Sequence, residues 1–195
     1  MRKTQVLLVC LLASLLLVTG TAFAASSTTD TLKLDYFSNA NTKGAPDGTL
    51  RITNPGYTAP GPTCADIYVY DTAQEMSECC SCTLTPNGLR TLSVNTDLTN
   101  NPLTGKLLTT GNIRIVSAAP GKNGYGWCSD PASITPQGAL NSWATHIQNT
   151  GYTITESESQ GQTLSSAEVT LLQNECSAIE QDGSGSGLCT CGTGD

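Results

Sequence analysis

The chain has 195 residues, with nine lysines and arginines against sixteen aspartates and glutamates, for a net charge of −7. An acidic chain without a basic patch repels phosphate backbones, which excludes nucleic acid as the expected partner. Charged residues make up only 13% of the chain while threonine is abundant, with 26 copies after Ala24. Thr, Val, Ile and Tyr fit a half-buried pleated surface, so the expectation is a mainly β protein.

The first predicted element is a secretory signal peptide over residues 1–24. Arg2 and Lys3 give a positive start, residues 6–18 an apolar run, and Ala22-Phe23-Ala24 a small-x-small cleavage site. The apolar run falls short of the roughly 20 residues that a span needs, so no membrane span is expected in the mature chain. Cleavage would remove two basic residues and no acids, leaving 171 residues with a net charge of −9. That length suits one β-rich domain, placed at residues 25–182.

Strands come next. Leu32, Leu34 and Tyr36 share one face of a first alternating run, and Leu50 and Ile52 pair in a second. Residues 65–71 alternate Ile67 and Val69 against Tyr68 and Tyr70, and residues 113–116 form another short run. Asn87-Gly88, between residues 82–85 and 89–94, is a β-hairpin signal. This spacing predicts a β-sandwich or small barrel over residues 30–120. Two C-terminal helices follow. One is expected near 138–149, where Leu140, Trp143, Ala144 and Ile147 make a stripe, and a strand at 152–156 separates it from the next. The second, near 166–180, opens on the capping box Ser165-Ser166-Ala167-Glu168 and buries Val169, Leu172, Cys176 and Ile179. Residues 183–195 read as a Gly/Ser connector and a Cys-x-Cys tail packed back on the domain.

Eight cysteines remain after Ala24: Cys64, Cys79, Cys80, Cys82, Cys128, Cys176, Cys189 and Cys191. An even number in an exported chain predicts a disulfide framework, although four bridges allow 105 connectivities. Neighbours on a strand face opposite ways, so Cys79 and Cys80 need different partners while Cys80 and Cys82 share a face. Cys176 can pin its helix to the sheet. Cys189 and Cys191 are too close in sequence to bridge each other without strain, and the cluster Cys79–Cys82 is the densest anchor for them. The alternative is a soft-metal site for Cu or Zn using Cys79, Cys80, Cys82, Cys189 and Cys191. Its spacings of zero and one residue do not match ordinary zinc ligands.

Other chemistry is sparse. His146, the lone histidine, is expected on the solvated side of the helix near 138–149, so no catalytic triad is assigned. Glu156 and Glu158 would share a strand face, as acid and base of a carbohydrate-active enzyme or as two solvated charges. Asp182, Ser184, Ser186 and Gly187 match the start of an EF-hand loop, but Thr193 stands where a bidentate Glu is required.

Cys64 to Gly105, with WATHIQ and the closing DGSGSGLCTCG, resembles a pattern of uncharacterised secreted bacterial cysteine-containing proteins. The resemblance implies export and a bacterial source and carries over no site. The resulting expectation is a periplasmic or extracellular, non-enzymatic structural or binding module of the cell envelope or extracellular space, with no cofactor. Its partner would be a protein, a polysaccharide or a second copy of itself.

Overall fold

The computed structural model describes residues 30–56, 61–121, 128, 130–138, 140–184 and 188–192. The expected signal segment and the centre of the Gly/Ser connector lie outside the described residues. The strands are β1 (Leu32–Phe37), β2 (Thr49–Thr53), β3 (Thr63–Asp71), β4 (Met76–Leu84), β5 (Leu89–Ser93), β6 (Gly111–Ala118), β7 (Asn141–Gln148), β8 (Thr153–Glu158) and β9 (Gln160–Gln162). Among the described residues there is one α-helix, α1 (Ser166–Ile179), followed by a helical turn at Glu180–Ser184, and a further helical turn lies at Val94–Leu98 between β5 and β6.

The strands form two antiparallel sheets, in the orders β4-β3-β6-β1-β9 and β5-β2-β7-β8. They stack as an open sandwich and do not close into a barrel. Between the sheets lie Phe37, Leu50, Ile52, Ala65, Ile67, Val69, Leu84, Leu92, Ile113 and Ile115, all buried. Each of the Phe, Leu, Ile and Val side chains among them contributes about 1.5–3 kcal/mol relative to exposure. The first sheet is covered a second time on its other face. There Leu32, Tyr68, Tyr70 and Val116 pack against Leu172 and Cys176 of α1. All nine residues of β3 are therefore buried, because both of its faces are covered.

The helix α1 follows the expected stripe. Leu172 and Cys176 are fully buried, with Val169 and Ile179 beside them. Ser165 caps the start by accepting the Glu168 N–H at 3.1 Å. The Glu168 side chain instead reaches Arg114 on the sheet below, so only half of the capping box forms and the other half becomes a tertiary ion pair.

Three expectations need correction. The helix predicted near 138–149 is strand β7, in the second sheet between β2 and β8. Its face pattern has period two, with Ser142, Ala144 and His146 buried and Trp143 and Thr145 less so. The apolar stripe imitated a helix because the inward positions include polar residues that the pattern counted as solvent-facing. The sandwich also continues past residue 120, since β7, β8 and β9 complete its sheets. Finally, Asn87-Gly88 turns the chain between two sheets rather than within one. Asn87 adopts a φ of 65° and Gly88 N–H bonds to the Thr85 carbonyl at 2.8 Å, but β4 and β5 do not pair. Buried Asn54 ties this arch down, donating to the carbonyls of Gly61 and Leu84.

Candidate functional site

The four disulfides are Cys64–Cys128, Cys79–Cys176, Cys80–Cys189 and Cys82–Cys191. Cys79 faces α1 while Cys80 and Cys82 face the sandwich interior, as the alternation of β4 requires. Both tail cysteines are anchored in the cluster, at Cα separations of 5.3 and 5.4 Å. Each sulfur of the alternative metal set is thus bonded to another sulfur. No thiolate remains there to take a soft metal, and the cysteines are structural.

The polar constellation lies elsewhere, at the side of the sandwich where β1, β7 and β8 meet. Strand β7 turns His146 inward, and β1 turns Asp35 toward it. Their side chains are only 4% and 3% exposed. This overturns the solvated histidine of the sequence reading, whose helix does not exist. The Tyr36 carbonyl lies 3.1 Å from Nδ1 and the Ser157 hydroxyl 2.8 Å from Nε2. A carbonyl can only accept, so Nδ1–H donates to Tyr36, while Nε2 meets the Ser157 hydroxyl. Asp35 Oδ1 stands 3.4 Å from the same Nε2. Asp35 also accepts the Tyr36 N–H and the Ser159 hydroxyl, each at 2.8 Å. Burial pushes its carboxyl pKa up, opposed by Ser159, the Tyr36 N–H and the charge on His146.

The Tyr36 ring stacks on the imidazole, with centroids 4.0 Å apart and planes 13° from parallel. Gln148 Nε2 donates to the Tyr36 hydroxyl at 2.8 Å. Above this floor opens a cleft of about 340 Å³, lined by Leu34, Asp35, Tyr36, His146, Ser157, Glu158 and Gln160.

Serine, histidine and aspartate are together, but not in the order of a nucleophilic triad. In a triad the carboxylate orients one ring nitrogen while the other takes the serine proton. Here Ser157 and Asp35 share Nε2, and Nδ1 is held by backbone. The flanking Asp35 and Glu158 carboxylates would oppose an oxyanion rather than stabilise it. The arrangement fixes the Tyr36–His146 stack and surrounds it with hydroxyl, amide and carboxylate groups. Glu156 and Glu158 part company: Glu156 pairs with Arg51 on the outer surface, and only Glu158 reaches the cleft.

Two further carboxylates are buried without hydrogen-bond partners on at least one oxygen. Glu78, 1% exposed, is pushed up to about 7 by burial. Asp66, also 1% exposed, is pushed up to about 7, chiefly by burial, with a hydrogen bond to Ser81 opposing and the charge of Asp130 adding to the rise.

Sequence reasoning missed Asp35, Tyr36 and Ser157 altogether. The available signal was β propensity: Trp143, Thr145 and Ile147 alternate with Ser142, Ala144 and His146, and reading that period would have put the histidine inside. Comparison with protein-family models, curated proteins and solved structures finds no match to this chain.

Proposed function

We propose that the chain is an exported, non-enzymatic binding module that takes a neutral polyhydroxylated ligand, a polysaccharide segment, in the cleft between β1, β7 and β8. The observation that carries this reading is the Tyr36–His146 stack at the floor of an open cleft rimmed by polar groups. A flat aromatic surface receives the C–H face of a sugar ring, while Ser157, Glu158 and Gln160 offer hydrogen bonds to its hydroxyls. Four disulfides fit an oxidising, extracellular-type environment, and no described helix is long and apolar enough to cross a membrane. Asp35 is buried beside the His146 imidazole and is already engaged by the Ser159 hydroxyl and the Tyr36 N–H.

The test is calorimetry against a panel of neutral oligosaccharides and co-sedimentation with insoluble polysaccharides, with reducing-end release measured in parallel. Binding without turnover is expected, and Tyr36→Ala should weaken it about tenfold, equivalent to 1.4 kcal/mol. Absence of binding to every glycan, or binding indifferent to Tyr36→Ala, overturns the reading. Glycan cleavage that depends on Glu158 would replace it with a hydrolase.

A further inference from the structure

Strand β8 ends the second sheet, and all six of its residues are exposed. One bond just beyond the strand fixes its backbone parity. The Ser159 N–H donates to the Ser142 carbonyl at 2.9 Å, one step on from the Trp143–Glu158 pair. Opposed residues of antiparallel strands alternate between bonded and non-bonded pairs. Thr153, Thr155 and Ser157 therefore turn their N–H and C=O groups to β7, while Ile154, Glu156 and Glu158 turn theirs outward. Among the described residues no hydrogen bond uses these outward groups. The other long edges are covered. The tail lies along β4 and β5, with the Leu188 N–H on the Cys79 carbonyl and Gly192 against Thr91. The remaining edge strand, β9, has only three residues.

The side chains of the same row share one face of the sheet. Ile154 is 58% exposed, although Ile147, directly opposite on β7, is 2% exposed. Glu156 pairs with Arg51, and no ion pair among the described residues takes Glu158.

We propose that the outer edge of β8 receives an extended, basic strand from a protein partner, which continues the second sheet antiparallel. It places a lysine or arginine opposite Glu158 and an aliphatic residue opposite Ile154. The unused N–H and C=O groups supply the main-chain bonds, and alternate side chains supply the specificity. Charge selects the partner. A second copy in the fully overlapping antiparallel register sets Glu156 against Glu156 and Ile154 against Glu158, and like charges directly opposite are unfavourable. The acidic chain as a whole, at a net charge of −7, repels its own copy and attracts a basic segment. Acidic residues also guard an edge against indiscriminate pairing. A guard alone has no use for Ile154, whose exposed side chain an incoming aliphatic residue would cover.

The experiment uses the disulfide-intact chain and a synthetic end-blocked peptide, Thr-Lys-Thr-Lys-Thr-Val-Thr, read by residue-resolved amide hydrogen exchange. At millimolar peptide, exchange at Ile154, Glu156 and Glu158 should slow about threefold or more, while Thr153, Thr155 and Ser157, already bonded to β7, should hardly change. The same peptide with glutamates for lysines should have no effect. Glu156→Pro removes an N–H that points away from β7, so the strand should still pair with β7 and lose the peptide response. Glu158→Lys keeps the whole backbone and reverses the unpaired charge, and it should weaken the response about threefold or more. No protection, or equal protection by the glutamate peptide, overturns the inference. A full response in either variant does the same. Protection of the three amides that grows with protein concentration in the absence of peptide also overturns it, since the occupant is then a second copy.

Discussion

The sandwich has two open sides, and the chain treats them differently. On one side lie the edge strands β4 and β5. The C-terminal tail runs along this seam and stitches it: Cys189 and Cys191 bond to Cys80 and Cys82, and the Leu188 N–H donates to the Cys79 carbonyl at 2.9 Å. Across the seam, Thr190 binds Asp97 through both its N–H and its hydroxyl, at 3.0 and 2.7 Å. Gly192 lies so close to β5 that a Cβ there would sit 2.2 Å from the Thr91 carbonyl oxygen. On the other side, Ser159 alone separates β8 from β9 as the chain passes from one sheet to the other. That side is held by hydrogen bonds around His146 and is left open as the cleft. A covalent seam excludes water from an apolar interior; a hydrogen-bonded one can stay wet and meet a ligand.

The sharpest way to break this contrast is to remove the stitched seam. Truncation after Asp182 should cost about 2–5 kcal/mol for each of the two lost bridges and expose the Cys80 and Cys82 thiols. Denaturant unfolding and thiol titration read both, and an unchanged midpoint would show that the tail is not structural.

Within the same seam, Glu78 shares the inward face of β4 with Cys80 and Cys82. Its folded-state pKa of about 7 exceeds its ordinary 4.5, so the folded chain holds the proton more tightly than the unfolded one. Its contribution is full below about 4.5 and is lost as pH rises through about 7, and Asp66 acts in the same direction. Thermal stability should therefore fall between about pH 4.5 and about pH 7. Glu78→Gln should flatten part of that fall and add about 1–3 kcal/mol at neutral pH, by removing the cost of ionising a buried carboxyl. A stability curve that rises over this interval would contradict the assignment.

On the open side, His146→Ala removes the partner of Ser157 and leaves Asp35 buried without its imidazole. The expected cost is about 1–3 kcal/mol in denaturant unfolding, accompanied by loss of the proposed glycan binding. Smallest of all is Arg51→Ala, which breaks an exposed ion pair with Glu156 outside both seams. It should change stability by about 0–1 kcal/mol and leave both seams intact.

Much of the scaffold is written locally. The alternation at β1, β2 and β3, the Ser165 cap and the stripe of α1 are short-range patterns, and each appears where the residues put it. The parity of Cys79, Cys80 and Cys82 along one strand dictated separate partners, and the strain of a Cys-x-Cys bridge sent the tail to the cluster. What covers each face is not local. Asp35 and His146 look like solvent-facing polar residues until β1 and β7 are brought together, because burial depends on a second strand about 110 residues away. The pairing of eight cysteines, the arch at Asn87-Gly88 and the burial of Asp66 depend in the same way on packing between distant segments. Sequence period determines which side chains point together; only the stacking of the two sheets and the helix decided which of those directions became interior.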